Sequence, residues 1–219
     1  MRRLVSAALI VLGVAAGALT ARGAAPGSNF SARVTNPWFP LIPGTTFTYV
    51  GVKDGAPSRD VLTVTHAIST IQGAPCVEVH DRLYIRGRLE ERTTDWYTQD
   101  RRGNVWYFGE ATAELDAHGR VTSIQGTWRT GVDGARPGIY IAARPEVGRV
   151  FRQEYYKGHA EDHFAVIGIF GRNGVLTKEW TPLEPGVLDH KLYVRGVGNV
   201  LEQTQRGGNE RNELIAVSR

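Results

Sequence analysis

The densest group of ligand-type side chains is His159-Ala160-Glu161-Asp162-His163. On a strand, His159, Glu161 and His163 share one face; on a helical turn, His159 and His163 meet at i, i+4. Either geometry suits a two-histidine, one-carboxylate site for a divalent metal, the one cofactor that the sequence suggests. The pattern is not His-Glu-x-x-His, and the apolar run Phe164 to Ile169 follows it directly. A solvated turn entering a buried strand is therefore the competing reading. A second constellation is Asp95, Tyr97 and Gln99, which alternate along one segment and so emerge on one face of a strand. Such side chains either line a pocket or face water. The aromatics Trp106, Phe108, Trp128, Tyr155 and Trp180 follow on later segments and would extend a ligand-binding face, with ordinary core packing as their other use. Asp95 with Glu110 or Glu154 would make a carboxylate pair for general acid/base work if the fold joins them. No catalytic residue is assigned, because the sequence holds no Gly-x-Ser-x-Gly, P-loop or dinucleotide fingerprint.

The elements that must position these residues are strands. Thr46-Phe47-Thr48-Tyr49-Val50 alternates, Val61 to Thr65 is rich in β-branched residues, and Val77, Val79, Leu83 and Ile85 continue the period of two. Turn chemistry breaks the runs at Lys53-Asp54-Gly55, Gln72-Gly73, Arg86-Gly87, Arg102-Gly103-Asn104, Ala117-His118-Gly119, Arg172-Asn173-Gly174 and Gly207-Gly208-Asn209. These spacings predict an all-β fold, a single curved antiparallel meander forming a half-barrel or open barrel. Gly126 to Gly148 is too rich in glycine and proline for regular strands and reads as an irregular rim or a long connection. Cys76, the lone cysteine, cannot form an intramolecular disulfide and sits in an apolar strand pattern as a small buried hydrophobe.

Residues 1–23 carry Met1-Arg2-Arg3, an apolar run and Ala21-Arg22-Gly23, the pattern of a cleaved secretory signal. Residues 24–44 read as a spacer and an extended Pro-rich lead-in, and 45–219 as a single β domain. The formal charge of +4 resides largely in the signal; without it, 23 Lys and Arg stand against 22 Asp and Glu. A nearly neutral body argues against a nucleic-acid partner. A soluble, secreted or periplasmic monomer without a membrane span is expected after signal cleavage.

Four blocks carry a resemblance: Asn36-Pro37-Trp38-Phe39-Pro40-Leu41; Thr94-Asp95-Trp96-Tyr97 through Gly103-Asn104-Val105-Trp106-Tyr107-Phe108-Gly109-Glu110; Gly131-Val132-Asp133-Gly134; and Glu179-Trp180-Thr181-Pro182-Leu183-Glu184-Pro185-Gly186. Together they resemble a group of secreted bacterial all-β proteins without assigned activity. Lys191 to Glu202 is also similar to segments of periplasmic half-barrels of the lipoprotein-carrier kind. That likeness implies a curved sheet able to hold an apolar chain. The leading expectation is thus a small apolar, amphipathic or lipid-like ligand on a concave face. A metal-dependent hydrolase or isomerase and a structural envelope module without a small ligand are the alternatives.

Overall fold

Three hairpins set the frame, and each turns on a pair of residues that the chain must hold at positive φ. Asp54-Gly55, Gln72-Gly73 and Arg86-Gly87 have φ of 51 and 73, 49 and 78, and 51 and 81°. This is the two-residue turn whose twist matches that of the flanking strands. The turns join β2 (Thr46–Lys53), β3 (Ala56–Ile71), β4 (Ala74–Ile85) and β5 (Arg88–Asp100), which follow β1 (Phe30–Ser31). The chain continues through β6 (Val105–Leu115), β7 (Val121–Ser123), β8 (Trp128–Arg129), β9 (Arg136–Ile141), β10 (Val150–Arg152) and β11 (Glu154–Tyr155). It ends with β12 (His163–Phe170), β13 (Gly174–Trp180), β14 (Leu188–Val194), β15 (Gly198–Arg206) and β16 (Arg211–Ser218). This computed structural model describes residues 29–219. The expected signal at 1–23 and the start of the spacer lie outside the described residues. Among those described, no helix is long and apolar enough to cross a membrane.

All sixteen strands belong to one antiparallel sheet, a nearly closed barrel with β16 paired to β2. Its main path runs β10-β12-β13-β14-β15-β16-β2-β3-β4-β5-β6-β9-β11. The two ends of that path are six consecutive residues of chain. Val150, Phe151 and Arg152 pair with Ala165, Phe164 and His163 on one edge, while Glu154 and Tyr155 pair with Pro137 and Arg136 on the other. Gln153 stands between them, donating its backbone N–H to the Asp162 carbonyl at 2.8 Å and its amide to the Tyr140 carbonyl at 3.3 Å. One segment therefore occupies both edges, which removes the open rows of backbone donors and acceptors that an exposed sheet edge leaves. The crossing is close. A Cβ on Gly138 would sit 2.3 Å from the Arg152 carbonyl oxygen and 2.5 Å from the Gln153 carbonyl.

The barrel interior is apolar at the end where the Pro-rich lead-in packs. Val34, Trp38, Phe39 and Leu41 are buried against Phe47, Val64, Val79 and Tyr97. The lead-in is held by polar contacts at Gln99, whose side-chain oxygen accepts the backbone N–H groups of Thr35 and Asn36, both at 2.8 Å. Asn36 returns a bond to the Gly103 carbonyl at 2.8 Å. A smaller apolar cluster lies on the other face of the sheet, where Phe30 covers Ile71, Cys76, Phe108, Trp96 and Trp106. Burial pushes the Cys76 thiol up to about 12, so it stays protonated and packs as a hydrophobe.

Gly138→Ala is expected to force the closing segment away from β9 and to destabilise the protein by roughly 1–3 kcal/mol. Gly186→Ala, with open space around the new methyl group, is the control. A urea midpoint lowered in the first and unchanged in the second is the expected outcome; equal midpoints would remove the closure from the stability argument.

Candidate functional site

Strands buried on their inner face should show apolar residues at every second position, and here several of those positions carry carboxylates. Asp60 shares parity with Leu62 and Val64 on β3, and Asp81 with Val77 and Val79 on β4. Registers of Leu62 with Asp81 and of Val79 with Asp95 make Asp60, Asp81 and Asp95 diagonal neighbours on three adjacent strands. Asp95 then stands directly opposite Glu110 on β6, and Glu110 opposite Trp128 on β8. The result is a diagonal stripe of acids across the inner face.

A cavity of about 150 Å³ opens over the first part of the stripe. Asp60, Asp81 and Asp95 form one wall, and Tyr97, Tyr140 and Phe39 supply aromatic surface beside it. Lys191 and Glu202 face them from β14 and β15. Asp95 accepts the Tyr107 hydroxyl at 2.5 Å. The Oδ1 atoms of Asp60 and Asp81 are shut off from solvent, and no donor outside the two carboxyls bonds to them. Lys191 is already committed: its Nζ lies 3.0 Å from Glu179 Oε2 and 3.5 Å from Glu202 Oε1. Glu179 also accepts from Thr177 at 3.2 Å and from the Tyr193 hydroxyl at 3.4 Å.

Low dielectric surroundings disfavour charge, and the acids respond accordingly. Burial raises the Asp95 carboxyl to about 7 against the opposing Tyr107 hydrogen bond. Burial, then the Asp95 charge, raises Glu110 to about 8. Burial also lifts Asp60, against a hydrogen bond from Asp81, and burial with that same hydrogen bond to Asp60 lifts Asp81 well above the carboxylate range, so Asp81 holds the proton that the pair shares. Burial alone would drop the Lys191 ammonium, but Glu179 and Glu202 reverse this and hold it charged. Asp95 and Glu110 can therefore take and return protons near neutral pH, the condition for acid/base work. A second group of buried acids lies farther round the barrel, where Glu154 is raised by burial and by Asp162 and Glu110.

The residues singled out in the sequence divide between the two faces. Asp95, Tyr97 and Trp128 are buried on the inner side, with Tyr97 stacked on Tyr107 at 4.8 Å and Trp128 edge-on to Tyr107 at 5.5 Å. Gln99 holds the lead-in. Trp106 and Phe108 lie on the outer face under Phe30. A bulge decides this: Trp96 pairs with Gly109 but Tyr97 pairs with Tyr107, so Phe108 is the extra residue and strict alternation fails. Gly109 permits it, with φ of 141° and no room for a Cβ beside the Trp128 carbonyl. Tyr155 and Trp180 also face outward, because Glu154 and Glu179 take the buried positions next to them. Arg152 covers Tyr155 at 4.4 Å, and Lys178 covers Trp180 at 5.3 Å.

His159, Glu161 and His163 have separate engagements. His159 stacks on Tyr156 at 4.3 Å, Glu161 accepts the Gly158 N–H at 2.7 Å, and His163 stacks on Trp180 at 5.7 Å. Among the described residues, no three His, Cys, Asp or Glu side chains form a group able to hold a metal ion. The turn at Tyr156–Ala160 and the start of β12 point the three ring and carboxylate groups to different neighbours. Asp60, Asp81, Lys191 and Glu202 went unnoticed in the sequence. Their signal is a charged side chain at an inward position of a β-branched strand.

No family model matches this chain, and no curated protein matches it. Among solved structures it is similar to a "putative exported protein with YmcC-like fold" from Bacteroides fragilis, at 15% identity over 83% of this chain and 99% of that one, with a TM-score of 0.47. It is also similar to a "putative lipoprotein" from Parabacteroides distasonis, at 10% identity over 84% of this chain and 99% of that one, with a TM-score of 0.42.

The raised carboxyls set the sign of the pH dependence. Unfolded, these groups ionise near pH 4, whereas Asp95 and Glu110 in the fold do so at about 7 and 8. Their contribution is intact below pH 4 and is lost as pH rises through 7 and 8. Between pH 5 and 8.5 the melting temperature is expected to fall by several degrees, on the order of 5 °C. Asp95→Asn should flatten that slope. A melting temperature that is constant or rises over this window would contradict the assignment.

Proposed function

We propose that this chain is an extracytoplasmic binding protein whose barrel takes up one small polar molecule in the cavity walled by Asp60, Asp81 and Asp95. The observation that carries the reading is the pair of Oδ1 atoms on Asp60 and Asp81, shut off from solvent and met by no donor of the protein beyond the hydrogen bond that the two carboxyls share. One proton shared between two buried carboxyls leaves further oxygen lone pairs unmet, and a ligand bearing N–H or O–H groups would satisfy them. Export is supported by the amino-terminal sequence, where a charged start, an apolar run and Ala21-Arg22-Gly23 make a signal pattern.

The apolar or lipid-like ligand expected from the aromatic strands has less support. Around Phe39, Leu41, Phe47, Val64 and Val79 the interior is filled, leaving about 10 Å³. The polar cavity is fifteen times larger by the same measure, with room for on the order of five to ten water-sized groups. It is too small for an acyl chain or a drug-sized molecule, whose pockets run to about 300 Å³ and more.

Native mass spectrometry of the protein exported with its own signal, set against the denatured mass of the same sample, tests the reading. The expected result is a denatured mass for a chain shortened near residue 23 and a native mass increased by one small molecule. Filling the cavity with Leu62→Trp should abolish the increment. A native mass equal to the denatured one, in protein kept in its host's medium throughout, would overturn the binding reading; a full-length denatured mass would overturn signal cleavage.

A further inference from the structure

We infer that the cavity selects a small organic cation, a compound carrying an alkylammonium group. The inference rests on the binding reading above and narrows its ligand to one chemical class.

The cavity wall gathers Asp60, Asp81, Asp95 and Glu202 against one ammonium, Lys191. That ammonium already faces two carboxylates, Glu179 at 3.0 Å and Glu202 at 3.5 Å. Among the described residues no cation forms an ion pair with Asp60, Asp81 or Asp95; Lys53 and Arg82 act on Asp60 and Asp95 only as more distant charges. The guanidinium of Arg82, adjacent to Asp81 in the chain, is spent on backbone carbonyls, donating to Thr93 at 2.8 Å and to the Asp81 carbonyl at 2.5 Å. An empty cavity can be neutral only by keeping its acids protonated. A cation with several N–H donors would meet both requirements at once, supplying charge and supplying donors for the two orphaned oxygens.

The shape of the acid array selects among cations. Asp60, Asp81 and Asp95 lie on three different strands in a diagonal, and neighbours of that kind have Cβ atoms several ångströms apart, roughly 7 Å. Metal ligands must converge on one point within about 2.6 Å, and no such convergence occurs among the described residues. The Asp60 and Asp81 carboxyls meet in a hydrogen bond and Asp95 stands one strand farther on, so an ammonium group with three diverging donors on a short carbon stem can reach both positions where a single ion would serve one. The stem has a surface to rest on. Tyr97 and Tyr140 cross edge-on at 5.0 Å, and Phe39 meets each of them at 5.4 and 4.7 Å. Aromatic faces beside carboxylates attract alkylammonium groups through their quadrupoles as well as by apolar contact.

The test is isothermal titration calorimetry of the full exported protein at neutral pH with a series of amines from methylamine to 1,4-diaminobutane, each paired with the alcohol of the same skeleton. At least one amine is expected to bind while its alcohol does not. Asp81→Asn should weaken that amine by at least about tenfold. The same variant should melt no lower than the parent, since it removes a buried acid whose ionisation opposes folding, which separates lost binding from lost structure. Asp116→Asn, in an exposed hairpin, should leave affinity unchanged. Alcohols binding as well as amines, with both lost in Asp81→Asn, would keep the cavity as a polar binding site and overturn the cationic class. Amine binding that survives Asp81→Asn would overturn the inference by placing the amine elsewhere. Heat from neither series would also overturn it, and the native mass of the exported protein would still judge the broader reading separately.

Discussion

The closing of the sheet on itself through six residues governs the rest of this molecule. Val150 to Tyr155 lies on one sheet edge with its first half and on the other with its second, so the interior is cut off from water on the side where an open sheet would admit it. Gly138 makes the approach possible by presenting no side chain to the Arg152 and Gln153 carbonyls. Closure lowers the dielectric around every inward group, and the perturbed acids follow from that. In a half-open sheet the same aspartates would be hydrated and ordinary.

Enclosing acids is expensive, and the structure divides the expense in three ways. Glu179 and Glu202 share the Lys191 ammonium. Asp95 receives a hydroxyl from Tyr107 and titrates near neutrality. Asp60 and Asp81 share a hydrogen bond with each other, receive no other donor from the protein at their Oδ1 atoms and are raised by burial. An architecture selected only for stability would fill these positions with valine or leucine, since replacing buried ionisable groups by packed apolar ones is often neutral or stabilising. Polar groups kept inside at such cost next to a cavity are what the proposed binding would account for. The apolar end shows the contrast: there the Pro-rich lead-in fills the barrel with Trp38, Phe39 and Leu41 and leaves about 10 Å³ around Phe47, Val64 and Val79.

Legibility in the sequence varied with how local the cause was. Turn pairs such as Asp54-Gly55 and Arg86-Gly87 announce themselves because positive φ at two successive residues demands particular side chains. Between them, alternation marked the strands, and from strands joined by short turns an antiparallel meander follows. Asp95 and Tyr97 were placed on one face by the same alternation. It failed at the fourth and fifth residues of the neighbouring strand, where the bulge at Phe108 and Gly109 shifted the register and turned Tyr107 in and Phe108 out. A bulge is set by the register of the partner strand and by the close passage of Trp128, neither of which is written near Phe108.

The sequence by itself thus determined an all-β chain with its hairpin order, the alternating faces of its longer strands and a charged, apolar start of signal type, because each of these depends on residues within a few positions of one another. Tertiary structure alone decided that the sheet closes and that Asp60, Asp81 and Asp95 share a wall with Lys191, from strands more than ninety residues away in the chain. It also decided that His159, Glu161 and His163 turn to separate neighbours. Pairing register and barrel closure are long-range properties, fixed by the packing of all strands together, and a carboxylate acquires its unusual character only when that packing removes its water.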